Sequence, residues 1–300
     1  MSNFNCRPSR SLCVLYLLAT FFFVVPFERA FSFDGEVGVD GDGGALALQM
    51  TASDRPAMSF HNAVSQRVRF AQFNGSSWAI EDVATGVSAV SGTSLTFLSG
   101  QPHIFFVDNG AARLKHAYRS GTTWAVEVVD PSVSVGGRVS SILCGPTTFC
   151  VSYYDANLKD LRFAQGQTGS WARSSADASA NDVGFGSEIV VGSSNLPVIV
   201  YSDSTVRQLK VAMRLAGGSW SIENVPFTSE PLGDRMSAAI DSAGALHVAA
   251  SFYKSTFPPQ ELGVLYAKRG TDAAWVLGRA DRDYAGGEAA LSLRSDGLPE

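Results

Sequence analysis

The chain lacks several features that mark common functional classes. Beyond the first thirty residues it has no long stretch of helical periodicity, which excludes a fold built mainly from helices. It has no cluster of lysine or arginine, and this argues against nucleic acid or an anionic membrane as the main partner. Neither a Ser–His–Asp set nor a metal site can be assembled by spacing around its 4 histidines. No glycine-rich turn lies between a strand and a helix, so nucleotide-binding loops are excluded. We expect no cofactor.

Charge is also sparse. Charged residues make up 17% of the chain and apolar residues 45%, a balance typical of a globular protein. The whole chain carries a formal net charge of −5. Without residues 1–32 it has 20 basic and 27 acidic residues, a net charge of −7. The sequence therefore predicts a moderately acidic globular protein.

The N-terminus has the layout of a secretory signal peptide. Arg7 and Arg10 precede an apolar run from Leu12 to Val25, which is shorter than the roughly 20 residues that a spanning helix needs. Ala30 and Ser32 are small residues two positions apart, the pattern that precedes a signal-peptide cleavage site. We predict that residues 1–32 are cleaved and that the protein is secreted, periplasmic or on the cell surface, with no membrane insertion after cleavage. An uncleaved N-terminal anchor is the alternative.

Residues 33–44 form a lead rich in glycine and acidic residues. The phrase from Asp40 to Gly43 alternates aspartate and glycine, but it lacks the spacing and the terminal glutamate of an EF-hand loop. We predict a flexible entry segment, with a calcium loop as the alternative.

Two of the 4 cysteines belong to the signal segment. The others, Cys144 and Cys150, flank a turn between two strand-like runs. In an oxidising compartment, facing cysteines on a hairpin can pair, so we predict a disulfide between them. Two buried free thiols are the alternative, and a metal site is not expected because no further ligands stand nearby.

One phrase recurs five times along the chain and contains every tryptophan. It consists of a short strand with an alanine, a turn that contains glycine, and a strand opened by the indole. Successive spacings are 46, 47, 49 and 55 residues, a period typical of propellers and solenoids. The tryptophans are Trp78, Trp124, Trp171, Trp220 and Trp275.

The internal pattern of the repeat indicates four short strands. In the second copy they cover residues 94–98, 103–108, 114–118 and 124–129, with a predicted hairpin turn at Asn109-Gly110. Four antiparallel strands per repeat form the blade of a β-propeller, and no copy has room for two helices. We predict an all-β propeller with five complete four-stranded blades and a truncated sixth. The blades cover about 45–83, 91–129, 138–175, 187–225 and 235–279, with a partial blade at 287–300.

Two details qualify the predicted ring. An insertion from Tyr253 to Glu261 accounts for the longest spacing. The sixth repeat stops within its second strand, so we expect either a longer natural protein or an open arc.

The recurring alanines and tryptophans have a structural interpretation. A small alanine lets neighbouring blades approach closely, and an indole covers the end of a sheet with a large apolar area. We therefore expect the tryptophans in the core; stacking against a ligand is the alternative.

The turn before each tryptophan resembles the Asp-box of sialidase-like (BNR-type) propellers. That motif reads Ser/Thr-x-Asp-x-Gly-x-Thr-Trp and joins the third and fourth strands of a blade. Residues 120–124 and 74–78 follow it in part, while the copies before Trp171 and Trp220 are looser. The aspartate is absent, so these are degenerate copies. The resemblance covers residues 45–300 and implies a propeller fold, and it raises the question of a glycoside hydrolase.

A sialidase-like enzyme would require three arginines around a carboxylate, a Tyr/Glu nucleophile pair and an aspartic acid. Arg113, Arg162 and Arg207 lie at or near the start of the third strand, and Arg138 and Arg235 lie early in the first strand. No glutamate is paired with an inward tyrosine. We predict no catalytic residues and expect these arginines to form salt bridges.

A second recurring phrase, aromatic-x-Asp, ends the second strand of successive repeats. An aspartate there can accept backbone N–H groups, as in an Asx turn. Alternatively, these turns share one face of the ring with the links between blades and hold a cation or a polyhydroxylated ligand. The predicted ligand-binding residues are Asp108, Asp155, Asp203, the equivalent Asn62, and Lys254 in the insertion.

The sequence thus predicts a secreted, non-enzymatic binding or scaffold propeller with carbohydrate or an extracellular protein as ligand. The alternatives are a sialidase-like glycoside hydrolase completed beyond the end of this chain, and a purely structural surface protein. The fold by itself does not choose among them.

Overall fold

A computed structural model of the chain describes residues 45–192, 194–227, 232–254, 261–281, 290–294 and 296–299. The side chains of residues 232–234, 253–254, 261–262 and 281 lie outside that description. The predicted signal segment, the acidic lead and most of the insertion also lie outside it. Among the described residues, no helix is long and apolar enough to cross a membrane.

Twenty strands form five antiparallel sheets of four strands in the described part of the chain, and each sheet follows the order of the sequence. We call the sheets blades 1 to 5. Blade 1 contains β1 (Leu46–Met50), β2 (Pro56–Asn62), β3 (Arg67–Phe73) and β4 (Trp78–Thr85). Blade 2 contains β5 (Val90–Leu98), β6 (Gln101–Asp108), β7 (Arg113–Ser120) and β8 (Thr123–Val128). Blade 3 contains β9 (Val135–Leu143), β10 (Phe149–Asp155), β11 (Asp160–Gln167) and β12 (Ser170–Asp177). Blade 4 contains β13 (Val183–Val191), β14 (Pro197–Asp203), β15 (Gln208–Arg214) and β16 (Trp220–Asn224). Blade 5 contains β17 (Leu232–Ile240), β18 (Leu246–Lys254), β19 (Glu261–Arg269) and β20 (Trp275–Asp281).

The hydrophobic core lies between the blades. It divides into four clusters, each built from side chains of two successive blades. The cluster between blades 1 and 2, for example, joins Val68 and Phe70 of β3 to Ile104 and Phe106 of β6. Because each blade packs on the one before it, the sheets follow one another as in a β-propeller. This confirms the predicted all-β fold with four-stranded blades.

The repeated alanine of the third strand lies at these contacts, as predicted. In all five blades it is completely buried, which leaves room for the neighbouring sheet. Four of the five tryptophans pack there as well, with Trp171 buried and the other three partly buried, whereas Trp78 is in none of the four clusters. The ring centroid of Trp124 lies 5.7 Å from that of Phe70, and that of Trp220 lies 5.0 Å from that of Phe163, so each indole covers the preceding blade. The alanines are Ala71, Ala117, Ala164, Ala212 and Ala267.

The first strands of successive blades lie beside one another, and we call them the inner strands. Two glycines permit this approach. A Cβ on Gly92 would come within 3.0 Å of the Cα of Arg138, and a Cβ on Gly137 would meet the carbonyl oxygen of Phe185. Gly137 also has a φ of 64°, which side chains rarely adopt. Glycine is therefore required where the inner strands meet.

The hairpin between the second and third strands differs from the prediction. Positive φ was expected at Asn109-Gly110, but it occurs at Ala112, with a φ of 51°. The reason is the carboxylate of Asp108, which accepts the N–H of Ala111 and places the left-handed residue later in the turn. Other blades have positive φ at the equivalent residues Gln66, Lys159 and Arg207.

Two further predictions concern single contacts. Cys144 and Cys150 form the predicted disulfide across the β9–β10 hairpin, with Cα atoms 5.8 Å apart. In the sixth repeat, Leu293 and Pro299 form an antiparallel bridge, and the N–H of Leu291 donates to Ser237 of blade 5 at 3.1 Å. The boundaries of the blades and the closure of the ring stay predictions.

Candidate functional site

The predicted site aspartates occupy the same place in successive blades, at the end of the second strand. Each is at most 5% exposed, and each accepts backbone N–H groups of the following turn. Asp108 accepts the N–H of Ala111 at 3.1 Å, and Asn62 of blade 1 accepts that of Ser65 at 2.8 Å. Asp155 and Asp203 form Asx turns, with bonds to the N–H two residues on, whereas Asp108 and Asn62 accept the N–H three residues on. The equivalent bonds run from Asn157 and Leu158 to Asp155, and from Thr205 and Val206 to Asp203.

Two of these carboxylates also pair with a lysine of the third strand. Lys115 lies 2.6 Å from Asp108, and Lys210 lies 2.8 Å from Asp203. Lys254 ends β18, and its side chain is outside the description. In the described part of the chain, no three His, Cys, Asp or Glu side chains are placed to hold a metal. The aspartates stabilise their turns, and their predicted role in ligand binding stays a prediction.

A polar cavity of about 520 Å³ lies where the first strands of the blades meet. Its volume falls within the range of roughly 300–1,000 Å³ typical of small-molecule sites. The cation in its wall is Arg138, and Glu188 is the one acidic side chain among its described lining residues. The remaining polar lining residues are Gln49, Ser91, Thr93, Ser94, Ser140, Ser141, Ser187 and Ser237. We call this space the channel.

Hydroxyl groups connect the inner strands along the channel. Ser94 of β5 lies 2.8 Å from the hydroxyl of Ser141 of β9, and the N–H of Ile189 in β13 donates to Ser140 at 3.2 Å. These strands belong to different sheets, so side chains rather than a backbone ladder link them. The channel wall is consequently rich in groups that both donate and accept hydrogen bonds.

Glu188 is partly buried in the channel wall. Burial raises the pKa of its carboxyl to about 7, although a hydrogen bond with Ser140 and the charge of Arg138 act in the opposite direction. The channel therefore changes its charge near neutral pH.

At their outer ends, successive blades are joined by a carboxylate of the fourth strand. We number the four contacts between successive blades, in chain order, as the first to the fourth junction. At the first junction, between blades 1 and 2, Trp124 donates its indole N–H to Glu81 at 3.1 Å. Arg119, which faces Trp124 across the β7–β8 hairpin, donates to the same carboxylate. We call such a glutamate the junction carboxylate. At the fourth junction, Trp275 and Arg269 bind Glu223 in the same way, with an indole distance of 3.2 Å.

At the second junction Gly166 stands opposite the tryptophan, where the first and fourth junctions have arginine, and a histidine of blade 2 is a further donor. Glu127 accepts the indole N–H of Trp171 at 2.9 Å and the backbone N–H of Gly169 at 2.8 Å. It also accepts Nδ1–H of the fully buried His116 at 2.9 Å, so Nε2 of His116 is free to accept a bond from His103, also at 2.9 Å. Burial lowers the pKa of both histidines, that of His103 to about 4. The pair is neutral at neutral pH.

The third junction lacks the carboxylate. The junction glutamate stands three residues after the tryptophan of its own blade, and blade 3 has Ser174 there. The indole Nε1 of Trp220 is buried and has no hydrogen-bond partner in the part of the chain that the structure describes. Arg214 faces Trp220 across the hairpin and lies over its ring at 5.0 Å and over Phe163 at 5.2 Å. Arg214 has no ion pair among the described residues, and burial lowers its pKa.

Deeper in two junctions, an aspartate binds a tyrosine of the next blade. Tyr153 donates to Asp130 at 2.6 Å, and Tyr201 donates to Asp177 at 2.7 Å. At the first junction the equivalent pair is apolar, with Ala84 packed in the cluster that contains Phe106. At these three junctions, a tyrosine is therefore paired with an aspartate of the preceding blade, and a phenylalanine is paired with an alanine.

Two of the five arginines considered for a sialidase-like site, Arg113 and Arg162, have structural partners. Arg113 donates to the carbonyl oxygens of Ala112 at 3.0 Å and Val133 at 2.9 Å. Arg162 donates to Ser175 at 2.9 Å and lies 3.6 Å from Asp130. Burial and the bond to Asp130 raise the pKa of Tyr153, the opposite of what a tyrosine nucleophile needs.

Sequence reasoning missed the junction carboxylates. The signal was present, because a glutamate follows the tryptophan by three residues in three of the five repeats. It also missed Glu188, whose pKa depends on neighbours from another blade.

Solved structures with a similar fold include two lectins and a trans-sialidase. The chain is similar to SapL1 lectin in complex with α-methyl fucoside, at 14% identity over 82% of this chain and 84% of that one, with a TM-score of 0.57. It is similar to the intramolecular trans-sialidase from Ruminococcus gnavus, at 11% identity over 84% and 88%, with a TM-score of 0.55. The fucose-specific lectin from Aleuria aurantia matches at 14% identity over 79% and 78%, with a TM-score of 0.50. At these identities the likeness establishes a lectin-like and sialidase-like propeller fold. No protein-family model and no curated protein sequence matches the chain.

Proposed function

We propose that the protein is a secreted, non-enzymatic β-propeller that binds carbohydrate in its channel. The observation that carries this proposal is the chemistry of the channel wall, in which hydroxyls accompany Arg138 and Glu188, the single cation and the single carboxyl among the described lining residues. Sugar hydroxyls both donate and accept hydrogen bonds, and this wall offers both. The cavity of about 520 Å³ has room for a small saccharide.

The same wall disfavours the hydrolase alternative. Glycoside hydrolysis usually requires two carboxyl groups, about 5–5.5 Å apart in retaining enzymes and about 6.5–9.5 Å apart in inverting ones. Glu188 has the raised pKa of a general acid, but no second carboxyl group lies among the described lining residues. Binding without turnover is the function that one carboxyl supports.

The comparisons add support of a different kind. The two lectins are named for fucose or were solved with a fucoside, which shows that folds of this kind carry saccharides in those proteins. The trans-sialidase shows that a similar fold also supports turnover in another protein. We therefore retain hydrolysis as an outcome of the test.

The test is a glycan array probed with the full chain lacking residues 1–32. We expect retention of at least one glycan, and loss of retention in the Arg138→Ala and Glu188→Gln variants. Arg55→Ala, which changes an exposed arginine of blade 1, is the matched control and should bind normally. Turnover of a fluorogenic sialoside would favour the hydrolase, and absence of both retention and turnover would favour a protein ligand or a scaffold.

Two parts of the proposal have their own tests. Secretion predicts a mature N-terminus close to residue 33, which sequencing of the exported protein checks. We also propose that the turn residues Asn62, Asp108, Asp155 and Asp203 contact the saccharide at the edge of the surface that binds it. An Asp155→Asn variant that retains glycan as well as the original chain does would remove that turn from the site.

A further inference from the structure

The third junction contains two donors arranged as in the first and fourth junctions but lacks their acceptor among the residues that the structure describes. In the first and fourth junctions, one glutamate accepts from both the tryptophan indole and the arginine. Trp220 and Arg214 hold the same register, directly opposite each other across the β15–β16 hairpin. Their acceptor position belongs to Ser174, whose side chain is shorter than glutamate by three heavy atoms.

The donors remain in place without the acceptor. Trp220 is fixed edge-to-face on Phe163, with ring centroids 5.0 Å apart, and Arg214 lies over both rings. No described residue accepts the buried indole N–H of Trp220, and leaving a buried donor unpaired is costly. Arg214 adds a cation without a counter-charge among the described residues. The junction is therefore preorganised for an anionic acceptor from outside the chain.

We propose that the third junction binds the carboxylate of an acidic saccharide, with the indole N–H of Trp220 and the guanidinium of Arg214 as its donors. A carboxylate fits because it is the group that accepts both donors in the equivalent junctions, and because a planar guanidinium matches a planar carboxylate. The saccharide part of this inference rests on the proposed function, whereas the carboxylate part rests on the junction alone. The site is separate from the channel, because its donors belong to the outer strands.

The experiment follows the tryptophan indole resonances in a ¹H–¹⁵N spectrum during titration with glucuronate, glucose and acetate. The signals of Trp124, Trp171 and Trp275 are internal references because their indoles already have acceptors. We expect glucuronate to shift the Trp220 signal and to bind at least about tenfold more tightly than glucose, since only glucuronate provides a charged acceptor. Acetate should bind more weakly than glucuronate because it lacks the sugar ring.

Two variants identify the site. Ser174→Glu supplies an internal carboxylate and should abolish the response of Trp220 to glucuronate. Ala172→Glu adds the same charge at an exposed position of β12 and should leave the response unchanged. An Arg214→Gln variant should weaken glucuronate binding at least about tenfold through loss of the cation.

Several results would overturn the inference. The Trp220 indole signal could fail to shift with glucuronate, or it could shift equally with glucose. It could also shift with glucuronate as much in Ser174→Glu as in the original chain. Acetate binding as tightly as glucuronate would refute the saccharide part, as would tighter binding of an acidic peptide, which would indicate a protein partner. Glycan retention that depends on Arg138 is measured separately, so failure of the proposed function and failure of this inference are distinguishable.

Discussion

The first and third junctions place tryptophan and arginine identically, but they differ in the residue that faces these donors. Glu81 completes the first junction, whereas Ser174 leaves Trp220 without an acceptor in the third. The apolar packing is similar in both, since each indole contacts a phenylalanine of the preceding blade. The difference shows that packing alone can position the indole, and that the carboxylate adds a polar contact that can be lost or supplied from elsewhere.

The third junction differs at its inner end as well. Glu188 of β13 occupies the register position that Ser94 and Ser140 hold in the two preceding blades. A carboxyl thus faces the channel at this junction, and none faces the outer donors. The inner end of the third junction thus contains Glu188, which the proposed carbohydrate site uses. Its outer end contains Trp220 and Arg214, which the proposed carboxylate site uses.

The largest effect is expected from converting the second junction into a copy of the third. Glu127→Ser removes the acceptor of Trp171, His116 and Gly169, so we expect a loss of about 3 kcal/mol in the free energy of unfolding, measured by urea denaturation. Glu127→Gln keeps one acceptor oxygen and should lose about half as much. A loss below about 0.5 kcal/mol, the size of an ordinary surface substitution, would contradict the importance of the junction carboxylate.

The next effect concerns the aspartate–tyrosine pair that the third junction retains. Asp177→Ala removes the acceptor of Tyr201 and the partner of Lys210, so we expect a loss of about 2 kcal/mol in unfolding free energy. Adding Tyr201→Phe should recover about 1 kcal/mol, because it removes the unpaired hydroxyl and recreates the alanine–phenylalanine pair of the first junction. Purely additive losses in this double-mutant cycle would argue against the pairing.

The inner end of the junction predicts a dependence on pH. The folded protein binds the Glu188 proton more tightly than the unfolded chain, because the pKa rises from 4.5 to about 7 on folding. This contribution to stability is therefore present below about pH 4.5 and is lost as the pH rises to about 7. Glu188→Gln should remove that decline and raise the unfolding free energy at pH 8 by roughly 1 to 2 kcal/mol, because solvent screens the partly exposed carboxyl. An unchanged pH profile in the variant would contradict the assignment.

The smallest expected effect is a gain in the free energy of unfolding. Ser174→Glu should complete the third junction and raise the unfolding free energy by about 1 kcal/mol, because the new carboxylate pairs with Trp220 and Arg214. Ala172→Glu at the exposed position should change stability by less than about 0.5 kcal/mol. If both variants behave alike in thermal unfolding, the third junction does not recognise a carboxylate.

Much of the fold could be predicted because it depends on local sequence signals. The tryptophan spacing and the alternation of the second repeat fixed the four strands of a blade, and the short loop between Cys144 and Cys150 predicted their disulfide. The turn at Asn109-Gly110 was predicted with the wrong residue in positive φ, because turn propensity ignores the Asp108 side chain that organises the turn.

The candidate sites were harder to predict because they arise between repeats. Glu81 and Trp124 are 43 residues apart, and only the packing of two sheets brings them together. The pKa of Glu188 likewise depends on Ser140 and Arg138 of the preceding blade. The sequence of one repeat is enough to predict a blade, whereas both candidate sites are formed by residues of successive blades.

The central claim is that the third junction contains a preorganised donor pair without an acceptor. The most direct test is the ¹H–¹⁵N spectrum of the tryptophan indoles without ligand, recorded for the original chain and for Ser174→Glu. We expect the Trp220 proton to resonate upfield of Trp124, Trp171 and Trp275 in the original chain and to move downfield toward them in the variant. A Trp220 signal already among the hydrogen-bonded indoles, and unmoved by Ser174→Glu, would contradict the claim.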